Sequence, residues 1–282
     1  MSTSIVAILS SSDIGMVVTL FALTRLGYTV MLLSPRLSAD ACISLLHVVG
    51  CNTILHGQTA TINATIQGIQ NLKSESESES GTNISCHPVL SGTYLCIEAP
   101  PSDVDSSCTD KGKISTTTTT TTADQCRTVM GIDQTNRDPQ KTVIIMHSSG
   151  STGRPKPLFL THKALTSALP NGFDLTSFNP LPWYHLYGLI TTLQAMWKRQ
   201  TAFMWNAQLP VTGEGLVKAL EVARPEALYA VPYMLQLVTD ADRGVDALKR
   251  CKTVVYGGAA CPDELGDKLV SQGVRLGGSL GS

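Results

Sequence analysis

Val143-Ile144-Ile145-Met146-His147-Ser148-Ser149-Gly150-Ser151-Thr152-Gly153-Arg154-Pro155-Lys156 sets an apolar, strand-like run directly before a turn rich in glycine and hydroxyl side chains, with a basic residue at its exit. Gly150 and Gly153 reach backbone angles closed to other residues, so successive N–H groups can converge on one anion. The hydroxyls of Ser148, Ser149, Ser151 and Thr152 can donate as well, and Lys156 can add a mobile charge. A polyphosphate such as that of ATP is the first ligand this turn suggests.

Outward from that turn, the pattern alternates strand and helix. Ser4–Leu9 reads as a strand, Asp13–Leu26 as a helix with Asp13 near its positive end and Gly27 at its exit, and Thr29–Leu33 as the next strand. Ile14, Val17, Val18, Phe21, Ala22 and Arg25 are expected on the apolar face of that helix. A second helix is expected over Ala39–Val49 and a strand over Thr53–Leu55. Thr142–Met146 and Leu158–Leu160 are expected as the strands entering and leaving the glycine-rich turn, with a helix from His162. Helical patterning returns at Leu189–Lys198, Gly213–Ala223 and Tyr233–Ala241, and strands at Thr201–Met204, Ala227–Ala230 and Thr253–Tyr256. The alternation predicts an α/β architecture. Two stretches interrupt it. Residues 73–82 alternate serine with glutamate and residues 112–126 contain a threonine tract; neither supplies a packed face, so both are expected as flexible low-complexity inserts. A strand pair or hairpin is expected over Val89–Glu98.

Composition narrows the partners. Twenty-one basic and 22 acidic residues leave a formal net charge of -1, with no basic block dense enough to track nucleic acid. Charged residues make up only 15% of the chain against 43% hydrophobic, which predicts a weakly charged surface. Asp13 and Arg25 interrupt the most apolar N-terminal segment before it could span a membrane, and no basic region precedes it, so a cytoplasmic protein is expected. The eight cysteines form no Cys-x-x-Cys pair, which fits buried thiols in a reducing compartment; no metal site is expected from them or from His147 and His162.

Five stretches, in order, resemble the adenylate-forming, AMP-binding superfamily, and look most similar to the adenylation domains of fungal peptide-synthetase-like and carboxylic acid reductases. They are Thr19–Ser34 (TLFALTRLGYTVMLLS), His147–Lys156 (HSSGSTGRPK), Leu181–Gly188 (LPWYHLYG), Val254–Pro262 (VVYGGAACP) and Gly273–Ser282 (GVRLGGSLGS). The resemblance implies the large N-terminal subdomain of that fold, here incomplete, and ATP-dependent activation of a carboxylic acid to an acyl-adenylate with release of pyrophosphate. It implies Mg²⁺ as companion of ATP and, in a full-length protein, a downstream carrier-protein domain. By the same resemblance Ser148, Ser149, Gly150, Ser151, Thr152, Gly153 and Lys156 clamp the nucleotide's phosphates. His185 orients the carboxylate, and Lys156 is its catalytic companion. Gly257, Gly258 and Ala259, with Gly281 and Ser282, wall the acyl and adenine pocket.

Pro157 stands where glycine is usual and is expected to stiffen the exit of the turn. Leu280 replaces the usual aromatic residue, so adenine stacking there is expected to be lost or replaced. The Thr-Glu pair, the ribose-binding aspartate and the small C-terminal lobe with its catalytic lysine have no counterpart before Ser282, so residues 1–282 alone are expected to turn over poorly. Two other readings stand beside this one. A non-catalytic nucleotide-binding or interaction remnant would keep the sheets without ATP-dependent behaviour. A dinucleotide-dependent oxidoreductase is permitted by the first strand–helix–strand unit, although Ser10-Ser11-Ser12-Asp13 is not a Gly-x-Gly-x-x-Gly turn.

Overall fold

Strands buried on both faces and joined by helices should assemble as parallel sheets, and two such sheets form here. The structure, a computed structural model, describes residues 4–75, 84–89, 138–148 and 154–280. The first sheet has the order β4-β3-β1-β2-β5-β6, made of β1 Ile5–Leu9, β2 Thr29–Leu33, β3 Thr53–His56, β4 Ser85–Pro88, β5 Thr142–His147 and β6 Pro157–Thr161. All neighbours are parallel except β5 and β6. The second, of order β11-β10-β9-β7-β8, is parallel throughout and comprises β7 Ser177–Asn179, β8 Ala202–Met204, β9 Ala227–Ala230, β10 Thr253–Tyr256 and β11 Leu276–Gly278.

Alternation along each strand divides the core into layers. Ala7, Leu9, Met31, Leu33 and Ile145 face α2 Ala39–Val49 and α3 Ala60–Glu75, which cover them with Leu45, Leu46, Ile62, Ile66 and Ile69. Ile8, Val30, Leu32, Ile144 and Met146 face the other way. They meet Met16 and Leu20 of α1 Ile14–Arg25 and Leu189 of α5 Leu186–Trp197. A short α4, His162–Ala168, follows β6. The outer face of the second sheet packs Phe178, Leu228 and Val254 against α6 Gly213–Ala223, α7 Pro232–Asp240, α8 Gly244–Arg250 and α9 Asp263–Ser271. Its inner face turns Tyr229 and Val255 toward Leu181 and Tyr187. Helix α5 therefore lies between the sheets, touching one through Leu189 and the other through Tyr187.

Several expectations are corrected here. Helix α1 buries Met16 and Leu20, whereas Ile14, Val18 and Phe21 of the expected face are exposed. The helix is apolar nearly all round, so packing against β1 and β2 selects the face and periodicity alone does not. Helix α3 runs through Glu75, into the beginning of the expected 73–82 insert; the rest of that insert, the 112–126 insert and the Val89–Glu98 hairpin beyond Val89 lie outside the described residues. Among the described residues, Cys42, Cys51, Cys86, Cys251 and Cys261 are free thiols, and burial pushes Cys42 up to about 12 and Cys251 up to about 11. No helix among the described residues is long and apolar enough to cross a membrane.

Candidate functional site

In open parallel sheets, ligands bind beyond the carboxyl ends of the strands, where the loops of neighbouring strands diverge. The carboxyl ends of β1, β2 and β5 in one sheet and of β7, β9, β10 and β11 in the other deliver the segments singled out in the sequence. A cavity of about 460 Å³ lies elsewhere. It is lined by Ile5, Thr29 and Thr142, which open their strands at the amino ends, and holds none of the residues discussed below, so its size is no guide to the chemistry.

The glycine-rich stretch is the connection of the β5–β6 hairpin. Register puts His147 opposite Pro157. One step further out, the Ser148 N–H donates to the Lys156 carbonyl at 2.9 Å and the Lys156 N–H donates to Ser148 Oγ at 3.3 Å, which closes the neck of the loop. Ser148 thus spends its amide and one lone pair on the neck. Pro157 is accommodated because it opens β6, an edge strand, where a missing N–H costs the sheet little. The Lys156 side chain is exposed. Ser149, Gly150, Ser151, Thr152 and Gly153 lie outside the described residues, as do Gly281 and Ser282. Leu280 is fully exposed.

His147 is buried directly beneath that neck. Its Nε2 accepts the Ser34 N–H at 3.1 Å, tying the end of β5 to the exit of β2. The neutral ring then carries its proton on Nδ1, which is buried without a hydrogen-bond partner. Burial lowers the His147 pKa, and the nearby Ser148 backbone offsets this only in part without reaching bonding geometry.

A histidine held neutral in the fold but free to protonate near pH 6.5 when unfolded contributes stability that is complete above that pH and lost as pH falls through the folded value. Denaturant midpoints measured from neutral to acidic pH should therefore fall on the acid side, and less steeply in His147→Gln. Parallel curves for the two proteins would refute this account.

The Leu181–Gly188 segment enters α5 from the first turn after β7. Trp183 is completely buried, and its backbone N–H donates to Ser12 Oγ at 2.8 Å. Asp13 meanwhile caps α1 by accepting the Met16 N–H at 2.9 Å. The Ser10–Asp13 turn is thus used inside the protein, which takes support from the dinucleotide reading. Asn179 is buried, and its Nδ2 lies 2.7–2.9 Å from the Gly188 carbonyl, Thr191 Oγ1 and Thr192 Oγ1, fastening β7 to the first turns of α5. That fastening positions His185, the residue preceding α5.

The His185 ring makes no side-chain cap bond and stands edge-on to Tyr184 with centroids 4.9 Å apart. Its surface is exposed although its surroundings are crowded; the exposure decides that a ligand can reach it. Its pKa is lowered, first by loss of solvent and then by the charges of His147 and Arg36.

At the second sheet the Gly257 N–H donates to the Ala230 carbonyl at 3.1 Å and the Ser279 N–H to the Tyr256 carbonyl at 2.7 Å, joining the ends of β9, β10 and β11. A Cβ on Gly257 would sit 2.9 Å from Tyr187 Cζ, so the group that approaches this glycine is the Tyr187 ring. Tyr187 donates its hydroxyl to the Val255 carbonyl at 3.0 Å and meets Tyr229 edge-on at 6.2 Å. Gly258, at φ +79°, turns the chain outward, leaving Gly258 and Ala259 exposed.

The two sheets, the helix between them and the shared carboxyl edge are the features to compare with known proteins, and the sequence profile of the AMP-binding enzyme family matches residues 2–281. The chain belongs to the AMP-binding enzyme family. The non-canonical non-ribosomal peptide synthetase ascB of Acremonium egyptiacum is 26% identical to it over 281 residues, covering 96% of this chain and 23% of that protein. An adenylate-forming reductase, stbB of Stachybotrys bisbyi, is 25% identical over 278 residues with the same coverage. The chain thus spans about a quarter of the length of these curated relatives. Among solved structures, the N-terminal domain of FACL13 from Mycobacterium tuberculosis superposes with a TM-score of 0.71 at 16% identity, covering 100% of this chain and 63% of that one. The N-terminal subdomain of Klebsiella oxytoca NpsA, in complex with 3-hydroxybenzoyl-AMSN, gives 0.66 at 14% identity, covering 100% and 60%. These two likenesses establish the fold of the AMP-binding enzyme's large subdomain.

The sequence singles out the loop, His185 and the Gly257–Gly258 turn, and the structure places Ser148, Lys156, His185 and this turn at the carboxyl ends of the strands. It does not single out Ser12, Ser34, Arg36 or Asn179. A signal existed for Ser34, which follows a buried strand at its carboxyl end; Arg36 has none, and Asn179 shows only as a polar residue before Pro180, its role depending on a helix that follows it.

Proposed function

We propose that this chain holds ATP and a carboxylic acid for acyl-adenylate formation with release of pyrophosphate, as part of an adenylate-forming enzyme. One observation carries the reading: Ser148 and Lys156 close the loop neck at the carboxyl end of β5, and the reachable, unbonded His185 ring lies at the same edge, close enough for the His147 and Arg36 charges to act on it. Attack of a carboxylate oxygen on the α-phosphorus forms one P–O bond as the bond to pyrophosphate breaks. The chemistry asks for donors on the leaving phosphates and for a neutral group beside the attacking carboxylate. The loop from Ser148 to Lys156 suits the first role, with Lys156 stabilising the charge of the departing pyrophosphate. His185, kept neutral near pH 7, suits the second, orienting the carboxylate by a hydrogen bond.

The residues present fit a nucleotide, since buried His147 Nδ1 has an unspent donor under the loop. Among the described residues no three His, Cys, Asp or Glu side chains converge, so no residue is assigned to Mg²⁺ and no step runs through it. Gly257, Gly258 and Ala259 serve as a wall of the acyl pocket, with Tyr187 filling the space above Gly257. A carrier-protein domain elsewhere in the full protein would take the activated acyl group.

The reading is tested by nucleotide-dependent stability together with carboxylate-dependent exchange of labelled pyrophosphate into ATP. The expected result is a raised Tm with ATP and, in the full-length protein, exchange that requires an added acid. Absence of both would leave the remnant reading in its place.

A further inference from the structure

Arg36 follows β2 in the turn Ser34-Pro35-Arg36. In the parallel register Met31 stands beside Ile145, so two residues further Leu33 stands beside His147, and Ser34 and Ser148 leave the sheet side by side. The turn is fixed by its own bonds: the Arg36 N–H donates to Ser34 Oγ at 3.2 Å and the Leu37 N–H to the Ser34 carbonyl at 3.1 Å. The Ser34 N–H is tied in turn to His147 Nε2 at 3.1 Å. Pro35 adds its restricted φ. This constrained backbone holds the exposed Arg36 two residues beyond Ser34, at the sheet edge from which Ser148 also leaves.

Among the described residues no carboxylate pairs with Arg36, whereas Arg243 and Arg250 pair with Glu221 and Lys252 with Glu226. The charge of Arg36 reaches two rings at this edge: burial raises the Tyr184 pKa and Arg36 opposes that rise, while burial lowers the His185 pKa and Arg36 adds to the fall. We infer that Arg36 is an anion-binding residue of the site, meeting polyphosphate oxygens of the nucleotide from the β2 side, with Ser148 and Lys156 on the β5 side.

The inference rests on the nucleotide reading above. The polyphosphate is chosen over the substrate carboxylate because β2 adjoins β5, whereas the Tyr187–Gly257 wall belongs to the second sheet, across α5. A guanidinium fork matches two phosphate oxygens at once, and its charge survives at any pH the enzyme meets.

Calorimetric titrations of ATP, inorganic pyrophosphate and AMP into the wild-type chain, Arg36→Gln and Arg36→Lys test this. Loss of a charge-assisted contact should weaken ATP and pyrophosphate about tenfold or more in Arg36→Gln, leave AMP within about twofold, and leave Tm unchanged because the side chain is exposed. Arg36→Lys should recover part of the loss. Equal weakening of all three ligands, or no weakening of any, would overturn the assignment to the polyphosphate, as would a loss confined to the carboxylic acid in a parallel titration. A wild-type chain that binds none of the three would instead overturn the nucleotide reading itself, and this inference with it.

Discussion

Gly188→Ala is expected to lower stability by about 1–3 kcal/mol, the range for forcing an extra carbon into a packed interior, and to disturb His185 as well. A Cβ at Gly188 would be driven into the Pro182 carbonyl oxygen and come within 2.9 Å of the Leu181 carbonyl oxygen. Both obstacles are backbone, so neither moves aside by changing rotamer. Relief requires α5 to withdraw from the Leu181–His185 segment. The Gly188 carbonyl is also held by Asn179 Nδ2 at 2.9 Å, so withdrawal strains a buried polar cluster that includes Thr191 and Thr192.

The control is Gly266→Ala in α9, where an added Cβ has nothing within 4 Å. With no clash, alanine's better helix propensity should raise stability by up to about 1 kcal/mol. Urea midpoints of the two variants should therefore move in opposite directions. If Gly188→Ala unfolds with the wild-type protein, the close approach of α5 to Pro182 is not the constraint described here.

The same contrast shows what could be read from the sequence. The βαβ unit from Ile5 to Leu33 is legible because Asp13 and Gly27 punctuate a helix between two unbroken apolar runs, a local signal. The two-sheet division is legible only through the family resemblance, because β7 and β11, at three residues each, are too short to declare a period. Helix α3 does carry Ile62, Ile66 and Ile69 at helical spacing. Threonine, asparagine and glutamine between them dilute the signal.

At the site, Gly188 and Gly257 stand out by motif, but the reason each must be glycine is a contact that only the fold makes: Pro182 on the preceding turn for one, Tyr187 of a distant helix for the other. Arg36 escapes notice for a related reason. Nothing local separates it from a solvated arginine until β2 is known to lie beside β5.

The other large effect is expected on ligand binding with stability untouched. Gly153→Val, and separately Gly150→Val, should abolish most nucleotide-dependent behaviour, with ATP–pyrophosphate exchange falling about 100-fold or more, the loss typical of removing one preorganised donor from a developing charge. The reasoning is conformational. If the stretch between Ser148 and Lys156 turns successive N–H groups toward one anion, its glycines occupy backbone angles that a β-branched side chain resists, and valine redirects those donors.

The neck sits outside this change, because it is made by the Ser148 N–H on the Lys156 carbonyl and the Lys156 N–H on Ser148 Oγ. The β5–β6 pairing and Tm should therefore persist. Lys156→Gln should act more weakly than either valine, since an exposed lysine contributes charge but does not shape the loop. Should Gly153→Val retain exchange while Lys156→Gln loses it, the phosphates would be held mainly by side-chain charge, and the array of backbone donors would no longer explain why this loop is built from glycine.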